Sequence, residues 1–298
     1  MNFVDILHET SREYDAEWRG ALTPIHPPGR ASSGFVRGIR VIDTHSHLLA
    51  GLDDGARDLE ESLEMCRIAH SDGIEAIVAT PHAMDGRFEV PQAVIRDRVD
   101  ELNRELQSLN LGLSVFPGME VRVSPETLES IDKGEILPLN DGKYILLEFH
   151  PAHIPAGFVN FVSRLIDRSL RLILAHPEKN AIIQRHPEFL FNLAEKFEPW
   201  EVLFQITAAS ITGANGLWVA WLTKRLLKNN LVHLVATDAH DTHDRSPLLS
   251  RAVETASRIV GEERASQMVK DIPRAVLLGE PFPEYVRPTN PRRRWQIF

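Results

Sequence analysis

Seven short apolar runs rich in β-branched residues alternate with amphipathic stretches of helical period along most of the chain. Strand, helix and strand in repeated succession are typical of a parallel sheet with crossover helices. Seven such units predict an α/β fold that forms a closed or nearly closed (β/α) barrel, with a doubly wound open sheet as the alternative. The predicted strands are 40–44, 74–80, 113–118, 143–149, 171–175, 202–207 and 231–237, and the predicted helices are 58–72, 92–109, 157–169, 187–197, 215–229 and 246–260.

The two ends of the chain differ in composition from the repeating units at 40–286. Residues 1–39 combine a polar stretch with several prolines, glycines and serines, which predicts an N-terminal extension or linker rather than a domain. Residues 287–298 include three consecutive arginines and predict a flexible basic tail.

Composition excludes several classes of protein. The formal net charge of −9 argues against a general nucleic-acid-binding protein, which is usually basic. No apolar run approaches the roughly 20 residues that span a bilayer, and the N-terminus lacks the pattern of a signal peptide. The single cysteine, Cys66, excludes an intramolecular disulfide and favours a cytoplasmic location.

Residue types that bind metals follow six of the seven predicted strands. In a parallel barrel the carboxyl ends of the strands meet at one rim, which carries the active site. Imidazole and carboxylate groups gathered there are unfavourable unless a cation lies among them. The mixed nitrogen and oxygen donors favour manganese, iron or zinc, and their number predicts two or three ions. The candidates are Asp43, His45, His47, Asp53, Asp54, His82, Glu120, Glu148, His176, Asp238 and His240.

These motifs, in this order, resemble those of the PHP (polymerase and histidinol phosphatase) superfamily. Within it, the chain most resembles the bacterial PHP-type protein-tyrosine phosphatases of capsule and exopolysaccharide operons. The resemblance implies the PHP fold, a distorted (β/α)7 TIM-like barrel. It also implies hydrolysis of a phosphate monoester by metal-activated hydroxide, with phosphotyrosine of a polysaccharide-biosynthesis tyrosine kinase as the substrate. The segments that carry it are His45-Ser46-His47, Asp53-Asp54-Gly55, Thr80-Pro81-His82, Glu120, Glu148, Ala175-His176 and Thr237-Asp238-Ala239-His240.

The resemblance further implies how the ligands are shared among two or three divalent ions, with manganese favoured over iron or zinc. Asp53 is the rival of Asp54, because the sequence leaves the register of their loop open. The implied groups are His45, His47, Glu120 and Asp238 for one ion; Asp54, His82 and His240 for a second; and Glu120 again, with Glu148 and His176, for a third.

Three residues are expected to act in catalysis, namely Arg245, Asp238 and His240. Arg245 matches a family arginine that binds the substrate phosphate, a task suited to its forked guanidinium. Lys179 stands where the relatives carry an arginine, and lysine meets a phosphate as a point charge. Thr207 replaces an asparagine, and the extension at 1–39 has no counterpart. These departures concern the identity of the substrate rather than the metal site.

Other functions stay open from the sequence alone. The same metals would serve histidinol phosphatase or another small-molecule PHP phosphoesterase, and a non-catalytic PHP scaffold is the alternative of another class. A cysteine-based phosphatase is excluded. Its catalytic cysteine needs an arginine six positions later, whereas the residue six positions after Cys66 is Asp72. The segment Glu60-Glu61-Ser62 resembles one that the capsule family uses in ring assembly, so a homo-oligomer is possible.

Overall fold

The computed structural model describes residues 41–289, which form parallel strands surrounded by helices. The predicted extension at 1–39 and residues 290–298 of the predicted tail lie outside the described residues. The strands are β1 (Ile42–Ser46), β2 (Ala76–Ala79), β3 (His82–Ala83), β4 (Ser114–Pro117), β5 (Glu120–Arg122), β6 (Tyr144–Glu148), β7 (Arg171–Ala175), β8 (Val202–Thr207) and β9 (Leu234–Ala236).

All six predicted helices are present with small shifts at their ends. Within residues 41–289, five further α-helices are too short to show a helical period in the sequence: the longest of them has eight residues, about two turns. The predicted helices are α1 (Leu59–Ser71), α2 (Gln92–Ser108), α4 (Phe158–Asp167), α6 (Glu188–Lys196), α8 (Leu217–Lys228) and α9 (Ser250–Val260). The additional helices are α3 (Thr127–Asp132), α5 (Ala181–Arg185), α7 (Ala208–Thr212), α10 (Glu262–Gln267) and α11 (Asp271–Leu278).

Two of the predicted strands are each followed by a further short strand that the sequence did not predict. The strand predicted at 74–80 is β2, and β3 follows it after Pro81, which has no N–H for the ladder; the strand predicted at 113–118 is β4, and β5 follows it. β1, β2 and β4 form one sheet, while β3 and β5 to β9 form a second sheet of six strands. The two short strands place His82 directly opposite Glu120 in the parallel β3–β5 ladder.

The barrel closes where β1 meets the segment that follows β9. The amide of Asp238 donates to the carbonyl of His45 (2.9 Å), and the amide of His47 donates to the carbonyl of Ala239 (2.8 Å). β2 and β3 can be counted as one strand, and so can β4 and β5. The barrel then has seven strands. The predicted distorted (β/α)7 barrel is confirmed, and its closure brings His45 of β1 and His47 just after it beside Asp238.

Alternate strand residues belong to two apolar layers, as the period of two in a strand requires. In β6, Leu146 belongs to the inner layer, whereas Ile145 and Leu147 pack in the layer beneath the helices. Ile173 of β7 and Val276 of α11 join Leu146 inside. Apolar side chains thus fill the inner layer, and the polar side chains gather at the carboxyl ends of the strands.

The last described segment, 280–289, has neither helix nor strand but packs on the barrel. Phe282 stacks on Trp200 with 4.4 Å between ring centroids, and the amide of Thr289 donates to the carbonyl of Asn229 (3.0 Å). Among residues 41–289, none of the helices combines the length and hydropathy that a bilayer-spanning segment needs. The domain boundaries at 39/40 and 286/287 stay predictions.

Candidate metal centre

The structure brings all nine predicted metal ligands together in a single cluster. His45 lies in β1, His82 begins β3, Glu120 begins β5 and Glu148 ends β6. The remaining five lie in the loops that directly follow β1, β7 and β9: His47, Asp54, His176, Asp238 and His240.

Four donors of the first predicted group surround one point. Nε2 of His45 lies 3.1 Å from Nε2 of His47 and 3.2 Å from Oε2 of Glu120. Oδ1 of Asp238 lies 3.6 Å from Nε2 of both histidines. Two imidazole nitrogens and two carboxylate oxygens at these separations form a donor set for one divalent cation.

The second group depends on a loop that runs close to the first strand. A Cβ on Gly55 would lie 1.8 Å from the carbonyl oxygen of His47, so only glycine lets the loop pass. The loop places Oδ1 of Asp54 3.4 Å from Nε2 of both His82 and His240. Asp53 does not join this group, since its carboxylate bonds to Nδ1 of His47 instead (2.6 Å). The structure thereby favours Asp54 over Asp53 as the loop ligand.

The third group shares Glu120 with the first. Oε1 of Glu120 lies 2.7 Å from Nε2 of His176, whereas Oε2 faces His45. Oε2 of Glu148 lies 3.9 Å from the same His176 nitrogen. His82 also turns Nδ1 toward this group, 3.1 Å from Oε2 of Glu120 and 3.6 Å from Oε1 of Glu148. The two oxygens of Glu120 can therefore bind two different cations.

Several buried polar atoms that face this cluster have no hydrogen-bond partner: Nδ1 of His82, Oε2 of Glu120 and Nε2 of His240. A buried polar atom without a partner is costly, and these three are all potential metal ligands. The residues present therefore fit a group of divalent cations.

Electrostatics within the cluster also favour a cation. Burial alone would raise the pKa of Glu120, but His45 and His176 hold that pKa well below its ordinary value. Burial alone would also raise the pKa of Asp238, but Lys179 and His45 hold that pKa well below its ordinary value. Both groups are thus carboxylates at neutral pH, the form that ligates metals.

The pKa values of His47 and Asp53 also indicate that the cluster favours positive charge. Burial alone would lower the pKa of His47, yet its hydrogen bond with Asp53 and the nearby carboxylate of Glu120 raise that pKa to about 10. The pKa of Asp53 falls to about 2, since His47 outweighs the effect of burial. By contrast, burial and the nearby His47 lower the pKa of His240 to about 2, which keeps that ring neutral.

Two further side chains hold the ligands in place, and the sequence assigned neither a role. The amide of Gln205 lies 3.0 Å from Nδ1 of His45, and its oxygen accepts from the hydroxyl of Thr44 (2.6 Å). Arg122 donates from Nε (2.8 Å) and Nη2 (2.6 Å) to Oε1 of Glu148. Gln205 could have been found as a polar residue inside a buried strand.

The two predicted substrate-binding cations both lie beside Asp238. Nζ of Lys179 is 2.5 Å from Oδ2 of Asp238, and Nη2 of Arg245 is 3.2 Å from its Oδ1. Both cations also reach solvent, with side chains 30% and 45% exposed. Thr207, by contrast, is buried and caps α7, where its hydroxyl accepts from the amide of Ser210 (3.3 Å).

Cys66 lies in the core, away from this cluster. It is fully buried in α1, and burial raises the pKa of its thiol to about 12. A buried neutral thiol is not a nucleophile, which agrees with the exclusion of a cysteine-based phosphatase.

Comparison with known proteins identifies the family. The model of the family described as capsular polysaccharide synthesis, CpsB/CapC, matches residues 41–278. The chain belongs to the CpsB/CapC family. This confirms the resemblance to the PHP-type phosphatases of capsule operons.

Three relatives of the chain carry names that describe one activity. Tyrosine-protein phosphatase YwqE of Bacillus subtilis is 34% identical over 258 residues, which cover 87% of this chain and 99% of YwqE. The putative tyrosine-protein phosphatase CapC of Staphylococcus aureus is 31% identical over 71% of this chain and 81% of CapC. Tyrosine-protein phosphatase CpsB of Streptococcus pneumoniae is 24% identical over 80% of this chain and 99% of CpsB.

Solved structures give the same result for the fold. A crystal structure from work on YwqE and CpsB, described there as unique metal-dependent tyrosine phosphatases, has a TM-score of 0.78 and 33% identity. It covers 84% of this chain and 99% of that one. Histidinol phosphate phosphatase from Lactococcus lactis has a TM-score of 0.50 at 13% identity, with 76% and 94% of the two chains covered. This second likeness shows the fold alone.

Proposed function

We propose that this chain is a metal-dependent phosphoric monoester hydrolase that acts on phosphotyrosine in proteins. The observation that carries the proposal is the convergence of nine metal-binding side chains and two partly exposed cations on one rim of the barrel. The names of its relatives support the substrate class. We further propose a bacterial tyrosine kinase of polysaccharide biosynthesis as the substrate protein, and a cytoplasmic location.

The three groups of ligands would hold two or three divalent ions, and Glu120 belongs to two of these groups. Manganese is proposed first, and iron and zinc also suit this mixture of imidazole and carboxylate. When bound, such ions lower the pKa of a coordinated water from ~15.7 to about 7 and neutralise charge on a phosphate.

The chain's own residues bind and orient the phosphate. Arg245 presents a forked set of donors, which suits two phosphate oxygens. Lys179 adds a second positive charge, and the two cations contact different carboxylate oxygens of Asp238. Nδ1 of His240 lies 2.9 Å from the carbonyl oxygen of Asp238, which turns Nε2 toward Asp54. His240 and Asp238 thus act as ligands rather than as proton donors. The leaving phenolate has a pKa of about 10 and needs little help from an acid.

The two alternatives from the sequence lack comparable support. Histidinol phosphatase shares the fold only, at 13% identity. A non-catalytic scaffold does not explain why all nine ligands and both phosphate-binding cations lie at one rim.

A substrate panel tests the proposal on the full chain. The protein is stripped with a chelator, reloaded with Mn²⁺, Zn²⁺ or Fe²⁺, and analysed for bound metal. Turnover is then compared on a phosphotyrosine peptide, a phosphoserine peptide, histidinol phosphate and a nucleoside monophosphate. We expect two to three ions per chain and the highest kcat/KM on the phosphotyrosine peptide. Preference for histidinol phosphate, or less than one ion per chain after reloading, would contradict the proposal.

A homo-oligomer built through 60–62 is a further proposal. Glu61 is held by Arg57 (Nε to Oε2, 2.8 Å), so this helix start presents a fixed pair of charges. Light scattering on the full chain and on a Glu60→Lys variant tests it: we expect an oligomer that the substitution dissociates, and an unchanged mass would contradict it.

A further inference from the structure

The first turns of α8 expose three large apolar side chains to solvent. Leu217 is 89% exposed, Trp218 45% and Trp221 39%. The two indole rings stack on each other with 4.7 Å between centroids. Within the part of the chain that the structure describes, eight large apolar side chains are exposed, and three of them lie here. Clustered exposure of this kind marks an interaction surface, whereas single exposed residues do not. These three residues are called the apolar patch below.

The apolar patch lies at the same end of the barrel as the metal centre. α8 follows β8 and the short α7, so it begins near the carboxyl ends of the strands. The helix packs against the turn Pro177–Lys179, and that turn carries the lysine beside Asp238. A polypeptide that leaves the phosphate site on this side therefore meets the patch.

The second half of α8 is positively charged. Lys224 and Lys228 are exposed, and the guanidinium of Arg225 lies 4.8 Å from the centroid of the Trp221 ring. The sequence of α8 contains no acidic residue, although the whole chain has a net charge of −9. The outer face of α8 is thus apolar at its start and basic toward its end, which complements a segment with an apolar side chain and several carboxylates.

We propose that the apolar patch binds the polypeptide that flanks the substrate phosphotyrosine. An apolar side chain of the substrate packs on the two indoles, and acidic side chains lie against Lys224 and Lys228. A flank of about six extended residues spans roughly 20 Å, enough to follow the first turns of the helix. Because α8 packs against the turn that carries Lys179, the substrate itself is the favoured occupant. This inference rests on the proposed function and names a determinant of its substrate.

The test compares peptides of increasing length with a substrate that has no flank. The probes are p-nitrophenyl phosphate and phosphotyrosine peptides with two, six or ten flanking residues that contain leucine and glutamate. In the metal-loaded full chain we expect kcat/KM to rise about tenfold from the shortest to the longest flank. The double variant Trp218→Ala/Trp221→Ala should lose that gain through KM, with turnover of p-nitrophenyl phosphate unchanged.

Two other variants separate docking from folding. Leu109→Ala alters an equally exposed apolar residue at the end of α2, which lies at the opposite end of the barrel, and should behave as wild type. Lys224→Glu/Lys228→Glu changes only exposed charges and should raise KM for the long acidic peptide alone.

The outcomes distinguish this inference from the proposed function. If wild type hydrolyses neither p-nitrophenyl phosphate nor any phosphopeptide after metal loading, both fail. If it hydrolyses them but flank length has no effect, or if patch variants lose the same factor on every substrate, only the docking inference fails. Binding to anionic vesicles or self-association that depends on Trp218, with peptide kinetics unchanged, would also overturn it.

Discussion

The carboxylate of Asp53 lies 2.6 Å from Nδ1 of His47, on the side of the ring opposite the nitrogen that faces Glu120. Asp53 also accepts from the amides of Gly55 (2.9 Å) and His82 (3.0 Å). It therefore orients a ligand, whereas Asp54, its neighbour, points at His82 and His240. A carboxylate behind a ligating histidine typically changes metal affinity by 10- to 100-fold.

The neighbouring aspartates should therefore give different phenotypes. Asp54→Asn should reduce bound metal by one ion per chain and abolish turnover. Asp53→Asn should bind the full number of ions with about 10- to 100-fold weaker affinity. Metal analysis after dialysis, with titration of the stripped protein, measures both effects. The assignment is reversed if Asp53→Asn loses the ion while Asp54→Asn retains it.

Lys179 is expected to bind the phosphate. Lys179→Ala removes a charge-assisted interaction worth about 1.5–3 kcal/mol, so kcat/KM should fall roughly 10- to 100-fold for p-nitrophenyl phosphate and phosphopeptides alike. Lys179→Arg should retain most of the activity, because a guanidinium also serves a phosphate. Lys133→Ala, at an exposed lysine after α3, is the matched control. Equal kinetics for Lys179→Ala and wild type would exclude this role.

Cys66 should be dispensable for turnover. The thiol is fully buried, and burial raises its pKa to about 12, so iodoacetamide should react with the native protein slowly and without inhibiting it. Cys66→Ser should retain kcat with the metals bound, at a cost in thermal stability because a hydroxyl enters the apolar core. Lost turnover in a folded, metal-loaded variant would point to a thiol mechanism.

His233 should make the barrel sensitive to acid. Its ring is buried, and burial together with the nearby Arg264 lowers its pKa to about 3, whereas an unfolded histidine titrates near 6.5. The stabilisation from this residue is complete above pH 6.5 and is lost as the pH falls from 6.5 toward 3, because the unfolded chain takes up the proton first. The expected slope is about 1.4 kcal/mol per pH unit.

Urea unfolding between pH 7 and pH 4.5 measures this slope. His233→Gln keeps an acceptor for the amide of Phe204, which donates to Nδ1 (3.1 Å), and it should show a shallower loss of stability with falling pH. His70→Gln, at an exposed histidine, should keep the wild-type slope. If His233→Gln also keeps the wild-type slope, another group accounts for the acid sensitivity.

Local patterns in the sequence determined the barrel and the residue types at its rim. Strand and helix periods are properties of neighbouring residues, and parallel strands must place their carboxyl ends together. His45, Glu120, His176 and Asp238 could therefore be assigned to one rim although they lie far apart in the chain. The short helices α3, α5, α7, α10 and α11 escaped prediction because few turns show no periodicity.

Only the tertiary structure decided which carboxylate oxygen lies beside which histidine ring. Asp53 and Asp54 are adjacent and chemically alike, and their different roles depend on how closely the loop passes His47 at Gly55. The bond from Arg122 to Glu148 and the exposure of Trp218 likewise depend on packing between distant segments. Such contacts are set by the three-dimensional arrangement of the chain, and no local pattern of residues encodes them.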